Sequence, residues 1–194
     1  RYSKTFKESE HTKDIQLHKK LTIGSIIWEV FQKNNYKTNF PKLDYETYTS
    51  ILKHKVVGRV ELFNGTQLIK ETLSSFDVCS LYPFICSVYK CYFPCGNIVK
   101  SSWDNYQKVK KTKGNENLIG FFWVKVDQSN FFKKNLPLIY PHKTKIRNDW
   151  KEPKLEKVFI SSVIIDGLLK NGCDVEFLED GIYFDDVKKN YEIF

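Results

Sequence analysis

The spacing of apolar and polar positions predicts helices early in the chain, followed by strands. Residues 21–32 carry apolar side chains at intervals of three and four behind Thr22, a suitable N-terminal cap, so an amphipathic helix is expected there. Residues 45–54 are predicted to form a second, shorter helix. Apolar and polar positions then alternate over residues 56–63, which are followed by Asn64-Gly65. This pattern predicts a β-hairpin whose return strand spans residues 67–71.

Further along, short apolar runs predict strands and one terminal hairpin. The predicted strands are residues 73–79, 118–126, 158–160, 175–178 and 182–184. The last two would form a hairpin around Glu179-Asp180-Gly181, which is a turn-forming composition.

Two helices are predicted between these strands. Residues 84–90 should be helical behind Pro83, which a first helical turn tolerates, and Phe93-Pro94-Cys95-Gly96 should end that unit as a turn. Residues 162–171 form an amphipathic pattern closed by Gly172, and residues 100–116 are interpreted as a polar connection. Helices mixed with antiparallel hairpins predict an α+β fold.

Composition indicates a globular chain with a basic body. The 194 residues carry a net charge of +8, and aromatic residues make up 15%, which is too aromatic for a disordered tail. Residues 100–158 hold 14 bases and 6 acids, whereas residues 159–194 hold 3 bases and 8 acids. Such a basic body suits a polyanionic partner, although a Lys-rich genome would give the same composition.

No apolar run reaches the roughly 18 to 20 residues that span a bilayer, and the first residues have no apolar core of a signal peptide. No membrane partner and an intracellular, non-secreted protein are therefore expected, with the compartment left open. Because the chain contains no Met, we interpret it as a fragment of a longer protein.

The five cysteines do not follow a metal-binding or disulfide pattern. They are Cys79, Cys86, Cys91, Cys95 and Cys173. Their number is odd, and the four clustered ones are seven, five and four residues apart, unlike paired structural zinc ligands. Buried reduced thiols are expected, and no zinc.

The segment with most chemical information is residues 76–83, Phe-Asp-Val-Cys-Ser-Leu-Tyr-Pro. An apolar strand ends there in a carboxylate, Asp77, and a tight turn leads into a helix. Backbone N–H groups at a helix start favour phosphate, and a carboxylate beside them suits Mg²⁺. A lone Asp that caps a helix would give the same local pattern.

The order Asp-x-x-Ser-Leu-Tyr-Pro resembles motif A of family B DNA polymerases, in the branch of protein-primed, organellar and viral or mobile-element enzymes. The flanks are similar to that branch as well: Val57-Gly58-Arg59 and the hairpin precede the motif, and the segment Phe93–Gly96 follows it. The segment from Leu21 to Trp28 resembles the helix that closes the exonuclease domain there. The resemblance covers roughly residues 21–185.

The resemblance implies a role for each matching residue. Asp77 would bind two catalytic Mg²⁺ ions, and the carbonyl of Val78 would ligate the nucleotide-bound ion. Ser80 and Leu81 would offer backbone N–H groups to the triphosphate, and Tyr82 would lie under the sugar and select dNTP over NTP. A buried core tyrosine is the alternative for Tyr82. A further implied pair, Gly58 and Arg59, would lie near template or primer phosphates, with a surface charge as the alternative for Arg59.

The resemblance also implies a domain organisation and a limit. Residues 1–44 would be the end of an exonuclease-like domain and a linker. Residues 45–194 would be the N-terminal part of a polymerase palm with a basic insertion at about 97–157. The fingers lysine and the second palm carboxylate have no match, and Asp185-Asp186 comes too early to supply the latter. We therefore expect this chain alone to lack polymerase activity, with DNA template and primer and dNTPs as partners of the parent enzyme. Whether a terminal protein serves as primer stays open.

Two other functions remain under consideration. The first is a non-enzymatic nucleic-acid-binding relic of a mobile element, which rests on the +8 charge and on interleaved aromatics. We expect most of those aromatics to be core residues instead: Tyr106, Phe121, Phe122 and Trp123. The second is a small zinc-binding interaction protein built on Cys79, Cys86, Cys91 and Cys95, against which the spacing argues.

Overall fold

The computed structural model describes residues 22–34, 40–56, 81–87, 91–145 and 148–189. The described residues fall into two compact units, one that ends at Phe40 and one that begins at Pro41. The helices are α1 Ile23–Asn34, α2 Tyr45–His54, α3 Leu81–Ser87, α4 Trp103–Lys110, α5 Ser129–Phe132 and α6 Ser162–Lys170. The strands are β1 Tyr92–Ser101, β2 Gly120–Asp127, β3 His142–Lys143, β4 Asn148–Asp149, β5 Lys154–Ser161 and β6 Asp174–Lys189.

The described part of the first unit consists mainly of α1. The hydroxyl of Thr22 accepts a hydrogen bond from the Ser25 amide at 3.2 Å, so Thr22 serves as the predicted cap. Phe31 stacks on Trp28 and contacts Phe40, each at 5.6 Å between ring centroids. The helix predicted over residues 21–32 is confirmed, displaced by two residues.

A four-stranded antiparallel sheet forms the body of the second unit. Its strand order is β1-β6-β2-β5, so the last strand in the sequence lies between two earlier ones. A two-stranded ribbon of β3 and β4 stands apart from it. The mixture of helices with an antiparallel sheet confirms the α+β class. The assignments as palm and exonuclease-type domain stay predictions.

One face of the sheet is covered by α4 and α6. Tyr106 of α4 and Ile165 and Leu168 of α6 are fully buried against Phe122 and Val124 of β2. Such burial of large side chains contributes roughly 1.5–3 kcal/mol for each residue. The hydroxyl of Tyr106 donates to the Leu118 carbonyl at 2.7 Å and lies 3.0 Å from the Ser162 hydroxyl, so its polar end is satisfied inside the core.

The opposite face packs against α2. Phe159, Ile182 and Phe184 form a second buried cluster, on which Ile51 of α2 and Trp123 pack. The carboxylate of Asp44 starts α2 by accepting the Thr47 amide hydrogen bond at 2.8 Å. The helix predicted over residues 45–54 is confirmed at both ends. The four aromatics expected in the core do line these two clusters, Tyr106 and Phe122 on one face and Phe121 and Trp123 on the other.

The predicted terminal hairpin is wrong, because residues 174–189 form one continuous strand. Its first half pairs with β2 and its second half with β1, and the register shifts where the turn was predicted. Gly181 allows close approach there: a Cβ would overlap the Phe121 carbonyl oxygen and lie 2.5 Å from the Phe122 ring. The Glu-Asp-Gly sequence therefore forms a bulge, for which glycine is as well suited as for a turn.

The turn predicted at Phe93-Pro94-Cys95-Gly96 is also wrong, since these residues lie inside β1. The register shifts between Cys95 and Ile98, and Gly96 has a φ of +76°. Pro94 is tolerated because β1 is an edge strand. A glycine in the left-handed region at a register shift marks a bulge.

Other predictions have mixed outcomes. The strand over residues 118–126 and the helix over residues 162–171 are confirmed as β2 and α6, and Gly172, with a φ of +74°, ends α6. The polar connection at residues 100–116 is wrong in part, since it contains α4. The hairpin over residues 56–71 and the strand over residues 73–79 lie outside the described residues, apart from Val56. Within the described ranges, no helix is long and apolar enough to cross a bilayer.

Candidate functional site

The candidate polymerase site lies only partly within the structure. Asp77, Val78 and Ser80 fall outside the described residues, as do Gly58 and Arg59. Their roles therefore stay predictions. The described portion of the motif begins at Leu81.

Leu81 and Tyr82 form the first turn of α3. The helix was predicted to start near Phe84, and it starts three residues earlier. Pro83 is accommodated because amides of a first turn have no partner within the helix. The Tyr82 side chain is 73% exposed and Leu81 is 43% exposed, which contradicts the alternative that Tyr82 is a buried core residue.

The apolar character of α3 extends to its other described side chains. Phe84 and Ile85 are 48% and 38% exposed. A helix that shows apolar groups to solvent around its circumference is typical of a segment that packs against further protein. The motif therefore ends on a helix whose described apolar side chains are largely uncovered.

The described cysteines do not gather into one site. Cys91 is half-buried, and its thiol donates to the Ile85 carbonyl at 3.2 Å. Cys95 and Cys173 are buried in different parts of the sheet unit, and burial raises the pKa of the Cys173 thiol. Cys79 lies outside the described residues, and nothing is described of the Cys86 side chain.

Asp185, in the second half of β6, has a structural role. Asp185 accepts hydrogen bonds from the Asn97 backbone amide at 2.7 Å and from its side-chain amide at 3.1 Å. Both oxygens of Asp185 therefore hold the bulge of β1.

Among the described residues, no three His, Cys, Asp or Glu side chains come close enough to share a metal ion. The described part of the chain thus does not present a ligand set that fits Mg²⁺.

A cleft of about 880 Å³ in the second unit was not predicted from the sequence. It lies between the end of α2, the β3–β4 ribbon and the edge strand β5. Its lining includes Lys53, His54, Tyr140, His142, Lys143 and Lys157. The acids Asp149, Glu152 and Glu156 line it as well, so the cleft has mixed rather than strongly basic character.

The walls of this cleft are fixed by side chains that cap α2. The ammonium of Lys143 donates to the carbonyls of Leu52 and Lys55 at 3.1 and 3.0 Å, and the Tyr140 hydroxyl donates to the His54 carbonyl. Burial lowers the pKa of His54, whose Nδ1 lies 2.9 Å from the Ser50 carbonyl. These residues are far apart in sequence, so no local pattern could have predicted the cleft.

The comparisons with known proteins address the family. Searches against curated proteins and against solved structures found no match. The family model described as DNA polymerase type B, organellar and viral, matches residues 2–194. The match covers nearly the whole chain, including the motif at residues 77–83, and agrees with the resemblance stated above. The chain belongs to the organellar and viral family of type B DNA polymerases.

Proposed function

We propose that this chain forms part of the palm of a DNA-directed DNA polymerase. The reaction is the template-directed transfer of a nucleotide from a dNTP to a primer 3′-hydroxyl or to the hydroxyl of a protein primer. The observation that carries the proposal is Asp-x-x-Ser-Leu-Tyr-Pro at residues 77–83, within a chain that matches the type B family from residue 2 to residue 194.

Asp77 is the proposed catalytic carboxylate, and the carbonyl of Val78 is its neighbour toward the nucleotide. Mg²⁺, when bound, would supply the charge that stabilises the attacking and leaving oxygens. The backbone amides of Ser80 and Leu81 are proposed to donate hydrogen bonds to the triphosphate. Gly58 and Arg59 are proposed to lie near DNA phosphates.

Tyr82 is the proposed selector of deoxyribose. An exposed phenol ring at the start of α3 presents a flat apolar surface on which a sugar can lie. A ribose 2′-hydroxyl placed against that ring would lose water without gaining a partner. The 73% exposure of Tyr82 supports this role over a place in the core.

We also propose that these 194 residues alone have no polymerase activity. Two metal ions need more than one carboxylate. Asp185, the tempting second acid, already accepts two hydrogen bonds from Asn97. A polymerase that carries this chain would have to supply its second metal-binding carboxylate from elsewhere.

The net charge of +8 still supports the alternative of a non-enzymatic nucleic-acid-binding protein. The interleaved aromatics mostly do not support it. Tyr106 and Phe122 are fully buried, and Phe121 and Trp123 pack against Phe159. These rings stabilise the sheet and are not a stacking platform. The alternative differs from the first proposal in predicting no loss of function on removal of Asp77.

The test is primer extension by a polymerase that contains this chain within a complete catalytic domain. Asp77→Asn should abolish extension and spare DNA binding, whereas Asp174→Asn, at an exposed acid at the start of β6, should leave both unchanged. Tyr82→Ala should chiefly raise the use of ribonucleotides. Tyr45→Ala, at a tyrosine that is 82% exposed on α2, is its matched control. Undiminished extension by Asp77→Asn would refute the assignment.

A further inference from the structure

Helix α4 is held rigidly on the sheet by its inner face. Tyr106 is fully buried, and its ring contacts those of Trp103, Phe122 and Tyr183 at 5.1 to 5.6 Å. Lys110 forms an ion pair with Asp166 of α6 at 2.7 Å. The orientation of α4 is therefore fixed, and with it the direction of its outer face.

The outer face and the turn that follows carry three exposed lysines. They are Lys108, Lys111 and Lys113, which we call the basic tip. The turn is folded by its own hydrogen bonds, from the Thr112 amide to the Val109 carbonyl and from the Asn115 amide to the Thr112 carbonyl, both 3.0 Å. The Asn115 side chain adds a bond to the Val109 carbonyl at 3.3 Å. The backbone thus presents the three ammonium groups from a structured platform.

Four other lysines of the sheet unit form ion pairs with carboxylates. The ion pairs are Lys125–Glu156 at 2.8 Å, Lys154–Asp127 at 3.5 Å, Lys157–Glu179, and the Lys110–Asp166 pair already described. Two of these acids, Asp166 and Glu179, come from the acidic segment of residues 159–194, which therefore offsets part of the basic charge of residues 100–158. What distinguishes the basic tip is density, since within six residues it holds three exposed lysines without an ion pair to any described carboxylate.

No carboxylate among the described residues pairs with Lys108, Lys111 or Lys113. The acid nearest in sequence, Glu116, accepts hydrogen bonds from the Gly114 amide at 3.0 and 3.1 Å, and these backbone bonds lower its pKa. The Glu116 carboxylate therefore binds the backbone of its own turn and none of the three lysines. Lys108 and Lys111 are three residues apart at the end of α4, a spacing that makes side chains neighbours on a helix surface. Their like charges repel one another there, and a polyanion would relieve that repulsion.

We propose that the basic tip binds the phosphate backbone of DNA, as a contact separate from the motif at residues 77–83. The partner rests on the proposed function, and the site rests on the three unpaired ammonium groups. Each lysine would neutralise one phosphate as a flexible point charge and would release its counterion. Contacts of this kind position the protein on DNA without reading its sequence.

The test measures the affinity of the full chain for a primer–template duplex at several KCl concentrations. Each lost phosphate contact reduces the slope of log K against log salt by about 0.9. The variant Lys108→Gln/Lys111→Gln/Lys113→Gln should therefore lose about two to three units of slope. Each single Lys→Gln variant should lose about one unit.

The control removes the same net charge elsewhere. Lys133, Lys134 and Lys151 are exposed lysines outside the basic tip, and their triple change to Gln should leave the slope within about one unit of the original protein. The proposal is supported if the tip variant loses at least about one unit more than this control, and overturned if it does not. Unchanged thermal unfolding of the single variants excludes a folding defect as the cause.

This outcome is separate from that of the proposed function. Asp77→Asn tests extension and should leave the salt slope alone. Loss of extension in Asp77→Asn with an unaltered slope in the tip variant would refute the basic tip only. The reverse pattern would refute the catalytic assignment only.

Discussion

A methyl group at Gly181 would collide with the neighbouring strand. A Cβ there would overlap the Phe121 carbonyl oxygen and would lie 2.9 Å from Phe122 Cα. Gly181→Ala should therefore lower the free energy of unfolding by about 1–3 kcal/mol, the usual cost of overpacking. Urea denaturation measures the change.

The same substitution at Gly167 is a matched control with the opposite sign. Gly167 lies within α6, and a Cβ there would meet no atom within 4 Å. Alanine favours a helix over glycine by about 1 kcal/mol, so Gly167→Ala should stabilise the protein or leave it unchanged. Equal destabilisation by both variants would contradict the packing described around Phe122.

Removal of the buried Tyr106 hydroxyl should also lower the free energy of unfolding. Tyr106→Phe would leave the buried Leu118 carbonyl and Ser162 hydroxyl without this partner. The expected loss is about 1–2 kcal/mol, measured by the same denaturation. Tyr183→Phe is the control: its ring lies 5.6 Å from that of Tyr106, and no hydrogen bond of its hydroxyl is found in the described part of the chain. A loss from Tyr183→Phe as large as that from Tyr106→Phe would argue against the buried network.

At the scale of elements, the end of α2 should make stability depend on pH. Burial lowers the pKa of His54 in the folded protein, so the unfolded chain binds this proton more readily. This contribution to the free energy of unfolding is fully present above about pH 6.5, the pKa of histidine in the unfolded chain. It is lost as the pH falls from there through the lower folded pKa.

The variant His54→Gln should remove this dependence. Its unfolding free energy should fall less than that of the original protein when the pH is lowered from 7 toward 5, as measured by urea denaturation at each pH. His142→Gln, at an exposed position of the same cleft, should retain the original dependence. An identical pH profile for His54→Gln and the original protein would show that His54 is not the titrating group.

Elements with a clear period were predictable, and those defined by pairing were not. Helices α2 and α6 and strand β2 follow from local patterns because their apolar faces recur at helical or strand spacing. Glu179-Asp180-Gly181 has the composition of a turn, yet long-range pairing of β6 with both β1 and β2 keeps it extended. Helix α4 has a weaker signal that the lysines obscured: Ser102 as cap, then Trp103, Tyr106 and Val109 at intervals of three.

The candidate sites also differ in whether a local sequence pattern could predict them. Asp-x-x-Ser-Leu-Tyr-Pro is contiguous, so the motif at residues 77–83 could be predicted from the sequence. The cleft beside β5 could not, because it joins side chains near residues 54, 143 and 157. The exposure of Tyr82 was also beyond sequence reasoning, since burial depends on what the rest of the chain leaves uncovered.

At the scale of the whole molecule, the sheet unit should fold without the first 40 residues. Both buried clusters and the side chains packed on them are drawn from positions 43–187. A chain of residues 41–194 should therefore unfold cooperatively, with a midpoint within a few degrees of that of the full chain. Thermal unfolding followed by near-UV circular dichroism is the measurement, since the signal reports ordered aromatic side chains.

A truncation at the other end should have the opposite result. A chain that ends at residue 181 lacks Ile182 and Phe184, both buried, and lacks the half of β6 that pairs with β1. It would leave β1 without its partner strand and expose the cluster around Phe159. This shorter chain should show no cooperative transition and should bind a hydrophobic dye. Retained cooperativity here, or its loss in residues 41–194, would contradict a sheet unit in which β6 is the central strand that joins β1 to β2.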